Sequence, residues 1–366
     1  MCTGSRRSAE MRLRRPVAAL AAVAAMGASL LAGAPSAPAS ADARTLPAQV
    51  IKDLAYAAPV PADTKGNLLD IYLPERRAHK PVPLFIFTEG SAWFADTGKS
   101  TAAAWAERLN PLGYAVAGVS VRSSSQITFP GQLHDIKAAI RYLRANAGTY
   151  AIDPHRFALA GFSSGAWTAA IAGVTNNVGV DLEGTEGVTG VTSRVQAVVT
   201  LAPPTAFRLM DSQATPYSVL QHGTPHSPES LMTGCTAYPT GINDPACVNA
   251  DRASPLNYVS PDDPPFLMFH GTEDPLLPPG QSQVLFDELA DSCVDAEFHL
   301  VEGPGHTYTY LNNPGAPPVT GQTVHKVNRP RCDVSVTHGL QRRALPGYGL
   351  IAAFLDRTIG RPSARP

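Results

Sequence analysis

The sequence predicts an α/β protein with a mainly parallel central sheet, helices on both faces and loop-rich insertions. Three observations carry that expectation. From about residue 50 onward, short apolar runs alternate with helical stretches, the rhythm of strand–helix–strand units. One of these runs, Phe157–Ala160, leads into Gly161-Phe162-Ser163-Ser164-Gly165 and then into a small-residue stretch, a strand–turn–helix signature. Finally, 34 prolines and 30 glycines among 366 residues call for many turns rather than a helical bundle.

The N-terminus stands apart from this pattern. A basic stretch with Arg12, Arg14 and Arg15 precedes an almost unbroken apolar run, Val17 to Leu31. Small residues and prolines then lead to Ala39-Ser40-Ala41. That order predicts a signal peptide over 1–41, cleaved after Ala41 or, in the overlapping Ala-Asp-Ala, after Ala43. The chain is therefore expected to be secreted. A membrane anchor is the alternative, but the run is shorter than the ~20 residues a span needs. Stable membrane insertion is accordingly not expected once the signal is removed. Met11 is an alternative start, and Arg6-Arg7 lies too far from the apolar run to make a strong twin-arginine signal. Residues 42–366 then read as one domain, with 44% of the whole sequence hydrophobic and ample for one core. A net charge of −1 offers no field for nucleic acid or an anionic membrane.

Of the five cysteines, Cys2 falls in the segment to be removed, leaving Cys235, Cys247, Cys293 and Cys332. An even number in an exported chain favours disulfides. Among the connectivities open to them, Cys235–Cys247 closes a short loop and Cys293–Cys332 staples a late excursion to the body. A zinc site has little support without a C-x-x-C pair, and no metal is expected.

Element by element, Ile51–Ala57 and Leu68–Tyr72 read as opening strands, an antiparallel edge. Leu84–Phe87 and Tyr114–Val121 are apolar strands. Between them, Thr101–Leu109 is helical and stops at Asn110-Pro111-Leu112-Gly113. Gly131–Ala147 is the clearest helix. Leu133, Ile136, Ile140 and Leu143 recur at three- and four-residue spacing, with Asp135, Arg141 and Arg144 on other faces. Asp153-Pro154 turns the chain into the strand Phe157–Ala160, which the helix Ser164–Gly173 follows. Val195–Leu201, Pro264–Phe269 and Glu297–Val301 are further strands, and Gly349–Ile359 is a closing helix packed on the sheet. Two stretches break the alternation. Residues ~203–258 read as an insertion over one end of the sheet, and ~307–345 as a functional loop or lid.

The chemistry centres on G-x-S-x-G. Its glycines permit a tight turn that lifts the Ser163 hydroxyl clear of the sheet, with the next helix pointing its positive end at the reacting centre. Ser164 is a rival nucleophile but is not the central residue. A serine needs a base and an orienting carboxylate, which on this arrangement come in the order Ser, acid, His. After the next-to-last strand stands Gly271-Thr272-Glu273-Asp274-Pro275, giving Asp274 as the acid with Glu273 as alternative. After the last strand, Glu302-Gly303-Pro304-Gly305-His306 gives His306 as the base. His325 and His338 lie too far downstream, His270 reads as a buried packing residue, and His134 as structural. Thr88-Glu89-Gly90-Ser91-Ala92-Trp93 occupies the place of an oxyanion loop, where backbone N–H groups are the donors. The amides of Ser91, Ala92 and Ser164 are the candidates. Glu89 is unusual there: a charge near the developing oxyanion would oppose it, so Glu89 is expected to be paired or turned away. Trp93, Phe94 and Trp167 either line a substrate pocket or belong to the core.

With these residues in place, the chain resembles the α/β-hydrolase superfamily, and within it bacterial esterases and lipases that include feruloyl and acetylxylan esterases. The resemblance runs from Leu69-Asp70-Ile71-Tyr72-Leu73-Pro74 through Phe129–Ala139 and Gly148–Arg156 to the serine motif. It resumes at Ala253–Val259 and Pro264–Gln281. It implies an α/β-hydrolase fold, a Ser163–His306–Asp274 triad and no cofactor. The implied activity is carboxylic-ester hydrolysis through an acyl-enzyme, acting on small-molecule or polysaccharide-linked esters. Two features depart from the pattern: Glu89, where many esterases carry the histidine of His-Gly-Gly-x-Trp, and the long segment after His306. A serine peptidase or amidase related to prolyl oligopeptidases is the second reading, although Ala41 to Leu84 leaves no room for their propeller. A non-catalytic, hydrolase-like binding protein is the third, and such proteins typically lack the nucleophile or the base.

Overall fold

The computed structural model describes residues 45–77, 80–176, 179–342 and 344–362. The expected signal peptide, its cleavage sites, Met11, Arg6-Arg7 and the last four residues lie outside the described residues. Among the described residues ten strands form one sheet. They are β1 (Gln49–Ala55), β2 (Leu68–Leu73), β3 (Val82–Thr88), β4 (Ala115–Val119) and β5 (Ile152–Phe162). After them come β6 (Ala197–Leu201), β7 (Phe266–Gly271), β8 (Ala296–Glu302), β9 (Gly321–Asn328) and β10 (Asp333–His338). The order across the sheet is β10-β9-β8-β7-β6-β5-β3-β4-β2-β1. From β4 to β8 all neighbours run parallel. Antiparallel pairs extend both edges.

Strands sandwiched between helix layers must be apolar on both faces, which explains why β3, β4, β6 and β7 are buried along their whole lengths. The strand period of two divides their side chains. Leu84 and Ile86 of β3 join one core cluster, while Phe85 and Phe87 join the other. Among the described residues, five helices of eight or more residues cover the faces: α1 (Ala102–Leu109), α2 (Gly131–Ala145), α3 (Ser164–Val174), α4 (Gly280–Asp291) and α5 (Tyr348–Leu355). Helices α2, α3 and α4 supply the first cluster through residues such as Ile136, Trp167 and Phe286. Helices α1 and α5 supply the second through Trp105 and Phe354. This is the α/β-hydrolase architecture.

The polar faces of α2 are not solvated. Asp135 is fully buried and its carboxylate meets Arg122 Nη2 at 2.7 Å. Arg141 is also buried; it pairs with Glu183 at 2.7 Å and donates to the carbonyls of Glu183, Glu186 and Val188. An irregular segment covering the helix thus supplies acceptors that periodicity cannot reveal.

The segment expected as a loop or lid at ~307–345 is in large part an edge hairpin, and that expectation is corrected. Strands β9 and β10 pair antiparallel and extend the sheet beyond β8. An edge needs fewer apolar residues than a central strand, so Gln322-Thr323-Val324-His325-Lys326 carries no strong strand signal. Between β6 and β7 the chain forms short turns and the brief helices Pro228–Thr233 and Val248–Arg252. Cys235 and Cys247 are joined there, with Cα atoms 5.6 Å apart. Cys293, beyond α4, is joined to Cys332 in the β9–β10 turn, with Cα atoms 5.1 Å apart. Among the described residues no helix is long and apolar enough to cross a membrane.

Candidate active site

Ser163 sits between β5 and α3 with φ 56° and ψ −126°. A left-handed φ is costly for a side-chain-bearing residue, and the surroundings enforce it by close packing. A Cβ on Gly165 would lie 2.2 Å from the Thr88 carbonyl oxygen, and one on Gly90 would lie 2.5 Å from Ser163 Cβ. Helix, β3 and the loop after β3 therefore converge on the serine only because these positions carry no side chain. The N-terminal end of α3 adds its partial positive charge at the same point.

Asp274 follows β7 and is completely buried. Its Oδ1 accepts the backbone N–H groups of Leu276 and Leu277, both at 2.9 Å. Its Oδ2 accepts from His306 Nδ1 at 2.7 Å. Burial alone would raise this carboxyl, but hydrogen bonds and charge from His270 and His306 outweigh it and hold Asp274 well below the usual carboxylate range. A hydrogen bond that fixes the proton on His306 Nδ1 leaves Nε2 as the acceptor. The imidazole packs against Phe162, the residue before Ser163, with ring centroids 4.7 Å apart. Among the described residues Ser163 Oγ forms no side-chain hydrogen bond, a contact that commonly tightens only with substrate bound.

The structure thus brings the Asp274–His306 pair against the serine turn. The other candidates are placed elsewhere. Glu273 is exposed and meets Tyr217 OH at 3.4 Å. His325 stacks on Phe298 in the sheet, and His134 bonds the Asp181 carbonyl at 2.7 Å. His338 lies on the edge strand β10. His270 is more than a packing residue. Its Nδ1 lies 2.7 Å from Ser282 Oγ, and its Nε2 lies 3.1 Å from the Leu277 carbonyl and 3.3 Å from Asp274 Oδ2. Its position at the end of the strand, four residues before Asp274, was the available sequence signal.

The loop after β3 requires a correction. Ser91, expected as an oxyanion donor, gives its N–H to Ser164 Oγ at 2.9 Å, and Trp93 gives its N–H to the same oxygen at 3.4 Å. The Ser164 hydroxyl is thereby committed as an acceptor, which also disfavours it as a nucleophile. Ala92 and Trp93 both adopt left-handed φ, 51° and 59°. The amide of Ala92 has no acceptor among the described residues. Ser164, as first residue of α3, has no intrahelical partner for its own N–H. Among the described residues neither amide has a protein acceptor, so both are available beside Ser163.

Glu89 is paired. Its Oε2 accepts from Thr101 Oγ1 at 2.5 Å and Tyr308 OH at 2.7 Å, and its Oε1 from Gly90 N at 3.2 Å. The aromatic residues do not line a pocket together. Trp167 is fully buried, donates to the Ala253 carbonyl at 2.7 Å and meets Trp93 edge-on at 5.4 Å, whereas Phe94 is 55% exposed. Trp93 and Trp167 belong to the core because the insertion before β7 closes over α3. Among the described residues no cluster of His, Cys, Asp and Glu could hold a metal ion.

Residues 69–289 match the BD-FAE family model. A truncated carbohydrate esterase from gut microbiota is similar in structure, with a TM-score of 0.62 and 34% identity over 74% of this chain and 92% of its own. A bifunctional GH43-CE of Bacteroides eggerthii is similar at a TM-score of 0.61 and 32% identity, over 70% of this chain and 32% of its own. The esterases LipQ and LipC of Mycobacterium tuberculosis are 27% and 28% identical over 62% and 72% of this chain. The chain spans 51% and 62% of their respective lengths. By the family match and the order of its sheet, this chain belongs to the BD-FAE family and carries the α/β-hydrolase fold.

Proposed function

We propose that the protein is a secreted carboxylic-ester hydrolase working through Ser163, His306 and Asp274. The observation that carries this reading is the 2.7 Å bond between Asp274 and His306, whose ring rests on the residue preceding Ser163. Ser163 Oγ attacks the ester carbonyl carbon as its proton passes to His306 Nε2. The N–H groups of Ala92 and Ser164 bind the oxyanion. Collapse expels the alcohol, which takes the proton from His306. Water, giving a proton to His306, then cleaves the acyl-enzyme and frees Ser163. Buried Asp274 stabilises the imidazolium formed in each half-reaction. Similarity to a carbohydrate esterase at 34% identity supports ester groups carried on polysaccharide as the substrate class.

The test is hydrolysis of p-nitrophenyl acetate by the wild type and by Ser163→Ala, with folding checked by circular dichroism. Activity that survives the substitution sinks the assignment, and faster turnover of matched amides would favour the peptidase reading. Export is supported by the signal-like N-terminus and by two disulfides, which persist in oxidising compartments. Protein recovered from the medium with a new N-terminus at Asp42 or Arg44 is the expected result. A product retained in the cytoplasm with free thiols contradicts it.

A further inference from the structure

The two loops that must cooperate at Ser163 leave from β3 and β8, which are separated in the sheet by β5, β6 and β7. The two strands are not hydrogen-bonded to each other, so backbone pairing between them does not fix the loops that follow. The loop after β3 carries the Ala92 amide, and the loop after β8 carries His306. A side-chain bond spans 219 residues of sequence to join them: Tyr308 OH donates to Glu89 Oε2 at 2.7 Å. Glu89 begins the first loop, where its N–H donates to the Gly98 carbonyl at 2.8 Å and its carboxylate also holds Gly90 N and Thr101 Oγ1. Tyr308 stands two residues after His306. Its ring meets Phe162 edge-on at 4.9 Å, and His306 meets the same Phe162 at 4.7 Å. Burial and the Glu89 charge push the Tyr308 phenol above its ordinary value, so it remains a donor.

We infer that Glu89 is a positioning residue for the reaction proposed above, a strut that through Tyr308 fixes the histidine-bearing loop relative to the amide-bearing loop. The inference rests on the Ser163 reading. Proton transfer to His306 and oxyanion capture by Ala92 and Ser164 occur in one transition state. A displacement of about 1 Å between the groups responsible costs roughly a hundredfold in rate. A carboxylate suits the task because it accepts several donors at once and makes stronger bonds than a neutral acceptor. Its charge is satisfied by Thr101, Tyr308 and Gly90, which reduces its repulsion of the oxyanion. This accounts for an acidic residue at a position where charge would otherwise be harmful.

Glu89→Gln, Tyr308→Phe and the double variant test the inference with p-nitrophenyl acetate. Tyr308→Phe keeps the ring and removes only the hydroxyl. The expected result is a fall in kcat of about tenfold or more in each single variant, with KM within about threefold and Tm within a few degrees. Because both changes act on the same bond, Glu89→Gln by removing the charge that strengthens it and Tyr308→Phe by removing its donor, the double variant should be no slower than the slower single. Single variants with kcat within about twofold of wild type overturn the inference, as do losses that multiply in the double variant. Loss of activity that merely tracks a collapse in Tm assigns the bond to stability and also overturns it. Ser163→Ala keeps the two readings separable. If it stays active the triad fails; if it is inactive while Glu89→Gln is unimpaired, only the strut fails.

Discussion

Ser91 donates its backbone N–H to Ser164 Oγ at 2.9 Å, so the residue following the proposed nucleophile holds the loop that faces it. The same oxygen takes the Trp93 N–H at 3.4 Å. The two bonds bracket Ala92, whose left-handed φ of 51° is otherwise unfavourable for a residue with a side chain. Ser164→Ala removes the shared acceptor while keeping the backbone amide of residue 164. The expected outcome is a kcat reduced by about tenfold or more at nearly unchanged KM, because the lost interaction orders a transition-state donor. Steady-state kinetics on p-nitrophenyl acetate decide it; an unchanged kcat would mean that the loop is held by other contacts.

His270 supports Asp274, the proposed triad acid. Replacing it with phenylalanine preserves much of the volume but deprives Asp274 of a nearby imidazole at 3.3 Å and leaves Ser282 Oγ without its 2.7 Å partner. Removing a group that favours the ionised carboxylate raises its pKa. Asp274 should therefore titrate closer to the ordinary carboxylate range in His270→Phe, which carboxyl-carbon NMR would follow. A buried hydroxyl stripped of its partner costs about 1–3 kcal/mol, measurable by denaturant unfolding. A carboxyl titration identical to wild type would remove His270 from the site.

These two supports mark where sequence reasoning stops. The serine motif, the strand before it and the order of Ser163, Asp274 and His306 were legible because each lies at a strand end with its own local signal. The central strands were legible because burial on both faces demands continuous apolar runs. The Ser164 hydroxyl looked like a second nucleophile, and only the proximity of residue 91, 73 positions away, shows it to be a loop anchor. Hairpin β9–β10 was missed because an edge strand needs little apolar character, and α4 because its Leu285, Phe286 and Leu289 stand in a stretch without strong caps. For Trp167 the sequence leaves pocket and core both open, since proximity in sequence to Ser163 says nothing of the Ala253 carbonyl, 86 positions away, that takes its indole N–H.

Acid should weaken the fold through identifiable carboxylates. Hydrogen bonds and charge from His299 and Lys326 overcome burial and lower Glu297 to about 2. Asp274 is lowered as well, by His270 and His306. A depressed folded-state pKa gives stability that is present above the unfolded value, near 4–4.5, and lost as pH falls through the folded value. Tm should therefore drop progressively from about pH 4.5 toward pH 2. Glu297→Gln should flatten part of that slope while being less stable than wild type at neutral pH. Equal slopes for the two proteins, measured by calorimetry, would refute the assignment to Glu297.

The two disulfides should fail differently. In the chain-entropy account, a crosslink stabilises by limiting the unfolded ensemble, more for longer loops. A separation of 39 residues between Cys293 and Cys332 corresponds to up to about 4 kcal/mol, and 12 residues between Cys235 and Cys247 to about 3 kcal/mol. Position separates them more sharply than magnitude. Cys332 lies in the turn of the edge hairpin, whose outer strand β10 is largely exposed and has few other contacts to hold it. Cys293→Ser/Cys332→Ser should therefore raise hydrogen exchange across 321–338 first while leaving ester hydrolysis at 25 °C close to wild type, since the hairpin carries none of the proposed catalytic groups. Cys235→Ser/Cys247→Ser loosens the insertion that supplies the Ala253 carbonyl to Trp167 on α3, so it should reduce activity at a temperature where the other variant is unaffected. Exchange mass spectrometry with parallel assays checks both. Uniform exchange in the two variants would show that the crosslinks act on the whole fold rather than on the elements they join.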